Sequence, residues 1–158
     1  MKKIVAVCVI GLALCVSGAF AQHSNGFGIG VQGGYSSGIG GGLTLHIPSI
    51  PIFWTIDVNS SWLGVAGDYY LFDSSLVKEV GLGWYLGVGG FVDLGFWDRD
   101  HVLIAAGARL PIGLSWQPIK LLEIYLQVVP SLGLQISPDV RFWNDWWGAN
   151  LGLRFWLS

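Results

Sequence analysis

Charge is the scarcest commodity in this sequence. Lysine, arginine, aspartate and glutamate make up 11% of its 158 residues, against about 25% in an ordinary soluble domain. A chain of this size has difficulty covering a water-facing surface with so little. Beyond residue 21, six basic residues (Lys78, Arg99, Arg109, Lys120, Arg141, Arg154) face ten acidic ones, a net of about −4. No basic patch exists, which excludes nucleic acid as a partner. Cysteine is confined to Cys8 and Cys15 near the start, so no disulfide framework holds the remainder. Long apolar runs are also missing. After residue 21 nothing approaches the roughly 18 uninterrupted apolar residues that a membrane helix requires.

What is present is apolar and rich in glycine. Hydrophobic residues form 53% of the chain, and there are 24 glycines. Residues 1–21 read as an export signal: Lys2 and Lys3, an apolar run from Ile4 to Val16, then Ala19-Phe20-Ala21 as a small-x-small cleavage site. A lipoprotein reading, with Cys15 acylated, ranks second because Leu14 precedes it where a small residue is wanted. Residues 22–158 form one domain.

That domain alternates with a two-residue period. Val80, Leu82, Trp84, Leu86, Val88, Val92 and Leu94 alternate with Gly81, Gly83, Tyr85, Gly87, Gly89, Phe91 and Asp93. Val102, Ile104, Ala106, Ala108, Leu110, Ile112 and Leu114 do the same against Leu103, Ala105, Gly107, Arg109, Pro111, Gly113 and Ser115. Successive side chains of a strand point to opposite faces, so each run has one apolar face and one small or polar face. Eight strands are expected, near residues 26–35, 38–47, 52–59, 62–72, 80–94, 102–115, 121–134 and 147–157. Their charged residues Asp57, Asp68, Asp93, Arg109, Glu123 and Arg154 all fall opposite the apolar set.

Greasy chains without a membrane helix have one other way to cross lipid, a closed barrel. The fold expected is all-β: a single eight-stranded, antiparallel, up-and-down transmembrane β-barrel in the bacterial outer membrane, with a glycine-rich lumen. An even strand number puts both ends on the periplasmic side. Turns at Pro48–Pro51, Asp73–Glu79 and Gln117–Lys120 are then periplasmic, and Ser36-Ser37, Ser60-Ser61, Gly95–His101 and Gln135–Trp146 face outward. Phe27, Trp54, Tyr69, Trp84, Trp116 and Phe155 would form one aromatic girdle; Tyr35, Trp62, Trp97, Trp143, Trp146 and Trp147 the other.

In this architecture the chain resembles the small outer-membrane barrels of the OmpA transmembrane-domain and OmpX kind, over all of residues 22–158. The closing strand Asn150–Ser158 resembles the aromatic-rich signal that the outer-membrane assembly machinery reads in such proteins, but ends in Ser158 where they carry an aromatic residue. The resemblance implies an interior ion-pair network, here Asp68, Arg109, Glu123 and Arg154.

Several readings of chemistry compete. The lumen charges either neutralise one another in a water-poor interior or gate a narrow conduit for ions or small solutes; eight strands leave a lumen that side chains about fill, which favours the first. Lipid modification, an activity of some eight-stranded outer-membrane barrels, would use His101 with Asp98, Asp100, Ser60 or Ser61, but nothing in the spacing brings nucleophile and base together, and no enzyme is expected. Asp98-Arg99-Asp100-His101 lacks a second metal-ligand cluster, so no metal or cofactor is expected. The Gly26–Gly30 string has no helix after it and fails as a phosphate loop. The outer segment carrying Asp139, Arg141, Phe142, Trp143 and Trp146 combines aromatic residues with arginine, as binding anchors do. It points to an adhesin-like contact with an envelope or host protein, or equally to a loop lying on lipid or lipopolysaccharide headgroups. A soluble, ligand-carrying barrel would turn the strands inside out, leaving glycine to face water.

Overall fold

The computed structural model describes residues 26–36, 38–96, 102–137, 139–142 and 147–157. The export segment 1–21, and with it Cys15, therefore lies outside the described residues. Ten strands follow in order: β1 (Phe27–Tyr35), β2 (Ile39–Ile47), β3 (Ile50–Val58), β4 (Trp62–Val77), β5 (Leu82–Gly95), β6 (Leu103–Arg109), β7 (Ile112–Ile119), β8 (Leu122–Ser137), β9 (Arg141–Phe142) and β10 (Trp147–Leu157). Each is antiparallel to its neighbours. Because β10 pairs with β8 on one side and β1 on the other, the sheet closes on itself. β6 and β7 both lie between β5 and β8, so they are two halves of one stave. With β9 left aside as a two-residue partner of β8, eight staves complete the ring.

Closure pairs each of the eight staves on both sides, and alternation sorts the side chains. Outward residues such as Ile29, Val65, Val92 and Leu151 are 44–59% exposed, whereas the inward Glu123 and Tyr85 are both at 0%. The usual polarity of a soluble protein is inverted, with charge inside and aliphatic side chains outside.

Short turns join the staves. Asn59 Oδ1 accepts the backbone N–H groups of Ser61 and Trp62, each at 2.8 Å, and so folds the β3–β4 turn. Between β4 and β5 a 3-10 turn, Lys78–Val80, is ended by Gly81 at φ 69°. That left-handed conformation suits glycine, and a Cβ there would also strike the Gln117 carbonyl. Phe27 sits opposite Leu157, so the chain enters and leaves at one end of the ring.

Four expectations need correction. The turn expected over Asp73–Glu79 begins only at Lys78: β4 continues through Asp73–Val77, with register shifts at Tyr70/Phe72 and Ser75/Val77. Bulges of this kind absorb an extra residue and let pairing resume. The strand expected over 102–115 is interrupted at Leu110-Pro111, because proline has no N–H for the ladder; Pro111 keeps only its acceptor, taking the Gly87 N–H at 2.8 Å. The turn expected at 117–120 shrinks to Lys120-Leu121, since β7 runs to Ile119. Trp62 leaves the outer girdle: it shares a face with Gly64, Ala66 and Asp68, and is 7% exposed.

Candidate functional site

The interior divides into a packed layer near the chain ends and a cavity towards the opposite end. In the packed layer, Phe53 of β3, Tyr70 of β4 and Tyr85 of β5 stack ring on ring, with centroids 4.0 and 4.5 Å apart and planes within 13°. Arg154 of β10 lies against this column, its guanidinium carbon 4.7 Å from the Phe53 ring, 4.8 Å from Tyr125 and 5.6 Å from Trp156. Cation–π attraction grows when the cation is desolvated, and Arg154 is 2% exposed. Its Nη1 donates to Glu123 Oε2 at 3.0 Å, and Trp156 Nε1 donates to the same oxygen at 2.9 Å. His46 Nδ1 donates to the Gly26 carbonyl at 3.0 Å while its ring lies 4.5 Å from Phe53.

Hydrogen bonds carry this layer towards the cavity. Tyr125 Oη donates to Gln32 Oε1 at 2.8 Å, and Gln32 Nε2 donates to Asp57 Oδ1 at 2.8 Å. Tyr85 Oη donates to Gln127 Oε1 at 2.9 Å. Above them Arg109 Nε meets Asp68 Oδ1 at 3.0 Å. Asp57, Asp93 and Arg109 then line the cavity, together with Asn59, Trp62, Phe91, Ser131, Asn150 and several glycines.

Register explains how such bulky groups fit in a ring of eight staves. Tyr70 sits opposite Gly87, Tyr85 opposite Gly113, Phe91 opposite Gly107, Tyr125 opposite Gly152 and Trp156 opposite Gly28. At Gly113 and Gly152 an added Cβ would run into the facing tyrosine ring. Each large inward ring thus occupies the space that a facing glycine leaves vacant. Asp68 and Arg109 both oppose Gly89, one from each side, and meet across it.

The four residues expected in the ion network form two separate pairs, Asp68 with Arg109 and Glu123 with Arg154. Of the four, only Arg109 lines the cavity. Trp156, which no functional reading of the sequence singled out, completes the second; its parity with Arg154 was the available signal. Gln135–Trp146 was expected as one irregular segment, but β8 extends to Ser137 and the chain returns as β9. There Arg141 Nε donates to Gln135 Oε1 at 3.0 Å, and Gln135 Nε2 donates to the Asp139 carbonyl at 3.4 Å. Val140 and Phe142 stand 75% and 74% exposed. Trp143 and Trp146 lie outside the described residues, as do Asp98, Asp100 and His101. Among the described residues no three His, Cys, Asp or Glu side chains gather as metal ligands, and no helix is long and apolar enough to cross a membrane.

A crystal structure of the N-terminal β-barrel domain of Pseudomonas aeruginosa OprF is similar to this chain at 16% identity and a TM-score of 0.48, covering 84% of this chain and 97% of that one. No curated protein matches the sequence. Residues 33–149 match the family described as a protein of unknown function (DUF3996), and the chain belongs to that family.

Proposed function

We propose that this protein is an integral outer-membrane β-barrel with a structural or surface-interaction role and no catalytic activity. The observation that carries the reading is the inverted polarity of the closed sheet. Outward side chains on all eight staves are aliphatic or aromatic and substantially exposed, while Asp68, Arg109, Glu123 and Arg154 are buried inside. In water such an exterior would aggregate; in a bilayer it is the required surface, since an unpaired charge facing lipid costs a few kcal/mol. The OmpA-like lineage expected from the sequence fits this reading, as does an export signal at residues 1–21. Its partners are outer-membrane lipid, lipopolysaccharide-type headgroups and, during assembly, the barrel-insertion machinery.

The β8–β9 ribbon is the surface element of this reading. It presents Phe142 and Val140 beside Arg141, the composition of a contact site for an envelope or host protein. The stacked rings around Arg154 weigh against the conduit alternative, because they occupy the lumen near the chain ends.

Heat-modifiable gel mobility tests the membrane reading. Residues 22–158, refolded in detergent, should migrate as a compact band that shifts on boiling. A protein that is soluble without detergent and shows no shift would overturn it.

A further inference from the structure

The cavity owes its open centre to side chains that lie sideways along its wall. Asp57 covers Gly42, Asp93 covers Gly64, Asn150 covers Gly34 and Trp62 covers Gly95, in each case the glycine directly opposite on the neighbouring strand. Phe91 extends across Gly107 to Gly133, two staves from its own. Each inward group is thus taken up by a glycine beside it, and the space between them stays clear. In the packed layer the Tyr70 ring and the Arg154 guanidinium occupy the interior instead.

Donors and acceptors both face this space. Arg109 is buried, and Asp68 at 3.0 Å balances its charge, yet its Nη2 makes no hydrogen bond among the described residues. A buried donor without an acceptor is costly. Asn59 commits its Oδ1 to the β3–β4 turn, which leaves its Nδ2 to donate into the cavity. Asp57, Asn150 and Ser131 bring acceptor oxygens, and Trp62 and Phe91 bring buried apolar surface.

That mixture selects an occupant. A metal ion would give Arg109 no acceptor. A carboxylate or phosphate would satisfy Nη2 but stand near the Asp57 carboxylate, which lines the same cavity. Water satisfies the polar groups but is poorly bonded against the two rings, and an apolar surface gains by displacing such water. Hydroxyl groups on a carbon frame meet every demand: each both donates and accepts, and the C–H bonds cover the rings. The cavity measures about 80 Å³, room for about six water-sized groups at ~10–15 Å³ each. It reaches the β1–β2 and β3–β4 turns at Ser36, Gly38 and Asn59, so one edge of a pyranose fits inside with the rest of the ring in the mouth.

We propose that this cavity binds a free, neutral monosaccharide by one edge. Adjacent hydroxyls accept from Arg109 Nη2 and donate to Asp57, and the C–H face of the ring lies on Phe91. The inference requires the closed sheet but not a bilayer around it.

Calorimetric titration of the refolded protein tests it, in an amine-oxide detergent because maltoside and glucoside detergents are themselves sugars. Of glucose, galactose and mannose, at least one should bind saturably. Tetrahydropyran-2-methanol, which keeps the ring but lacks its hydroxyls, should bind about tenfold more weakly, since a site built to hydrogen-bond hydroxyls rejects an analogue without them. Arg109→Lys keeps a cation for Asp68 but loses the guanidinium fork, and should lower the affinity about fivefold, the worth of one hydrogen bond, while its unboiled band stays compact. If that variant does not form the compact band, Asn150→Ala serves in its place and should lower the affinity about threefold. No saturable heat with any of the three sugars, equal binding of tetrahydropyran-2-methanol, tighter binding of glucuronate than of glucose, or full affinity in the folded variant would each overturn the proposal. The compact band reports the barrel separately, so loss of the site and loss of the fold are distinguishable.

Discussion

Arg154 and Glu123 face each other directly across the β10–β8 ladder, and the guanidinium reaches the carboxylate at 3.0 Å with both side chains almost wholly buried. Three aromatic rings surround the cation, and the Trp156 indole N–H shares the carboxylate. Removing one partner leaves the other charge buried without compensation, at a cost of about 3–5 kcal/mol. Glu123→Ala should therefore lower the urea midpoint of the refolded protein sharply. The double change Glu123→Leu/Arg154→Met should recover most of the loss, because two apolar groups leave no orphan charge. A single variant as stable as the wild type would show that the pair is solvated.

The facing of rings and glycines makes a second expectation. Gly152→Val puts side-chain atoms where the Tyr125 ring stands, and overpacking of this kind costs about 1–3 kcal/mol. Gly33 points outward, and a Cβ there would meet only the Gly40 carbonyl at 3.7 Å, an ordinary contact. Gly33→Val should accordingly leave the unfolding midpoint unchanged. Equal effects at the two positions would mean that the interior is looser than the register implies.

The proposed bilayer can be probed from its own side. Val88 is an outward residue in the middle of its stave. Val88→Arg should destabilise the protein folded in phospholipid vesicles by about 2–4 kcal/mol, the midplane penalty for arginine. In a soluble closed sheet the same arginine would face water at little cost. Unfolding of the variant and wild type in vesicles decides between the two.

The inside-out arrangement was legible because it depends only on parity. Val65, Asp68 and Tyr69 can each be assigned a face by counting along a single strand, without knowing its neighbours. Pairings were not legible in this way. Arg154 meets Glu123 only through the stagger between β8 and β10, and the intervening segment does not set that stagger. Depth is hidden for the same reason: Arg109 lines the cavity and Arg154 the packed layer, a difference that counting along either strand does not give. At Pro111 the alternation continues unbroken while the ladder does not, so periodicity alone hides the interruption. Asp73-Ser74-Ser75 has turn composition, but its backbone remains paired with β5 through two bulges.

The packed layer also determines what the lumen transmits. Phe53, Tyr70 and Tyr85 form a continuous stack from β3 to β5, and Arg154 covers the side towards β10. An ion following the lumen would have to displace rings packed at 4.0–4.5 Å. The wild-type protein in planar bilayers is therefore expected to give no conductance steps. Tyr70 is the middle ring, and Tyr70→Ala empties the centre of the stack while keeping both ion pairs. Truncating a buried aromatic side chain costs about 3–5 kcal/mol, so the compact gel band must be verified first. The folded variant should then give small steps. Wild-type steps as large as those of the variant would show that the rings are not the barrier, and would return the conduit reading to first place.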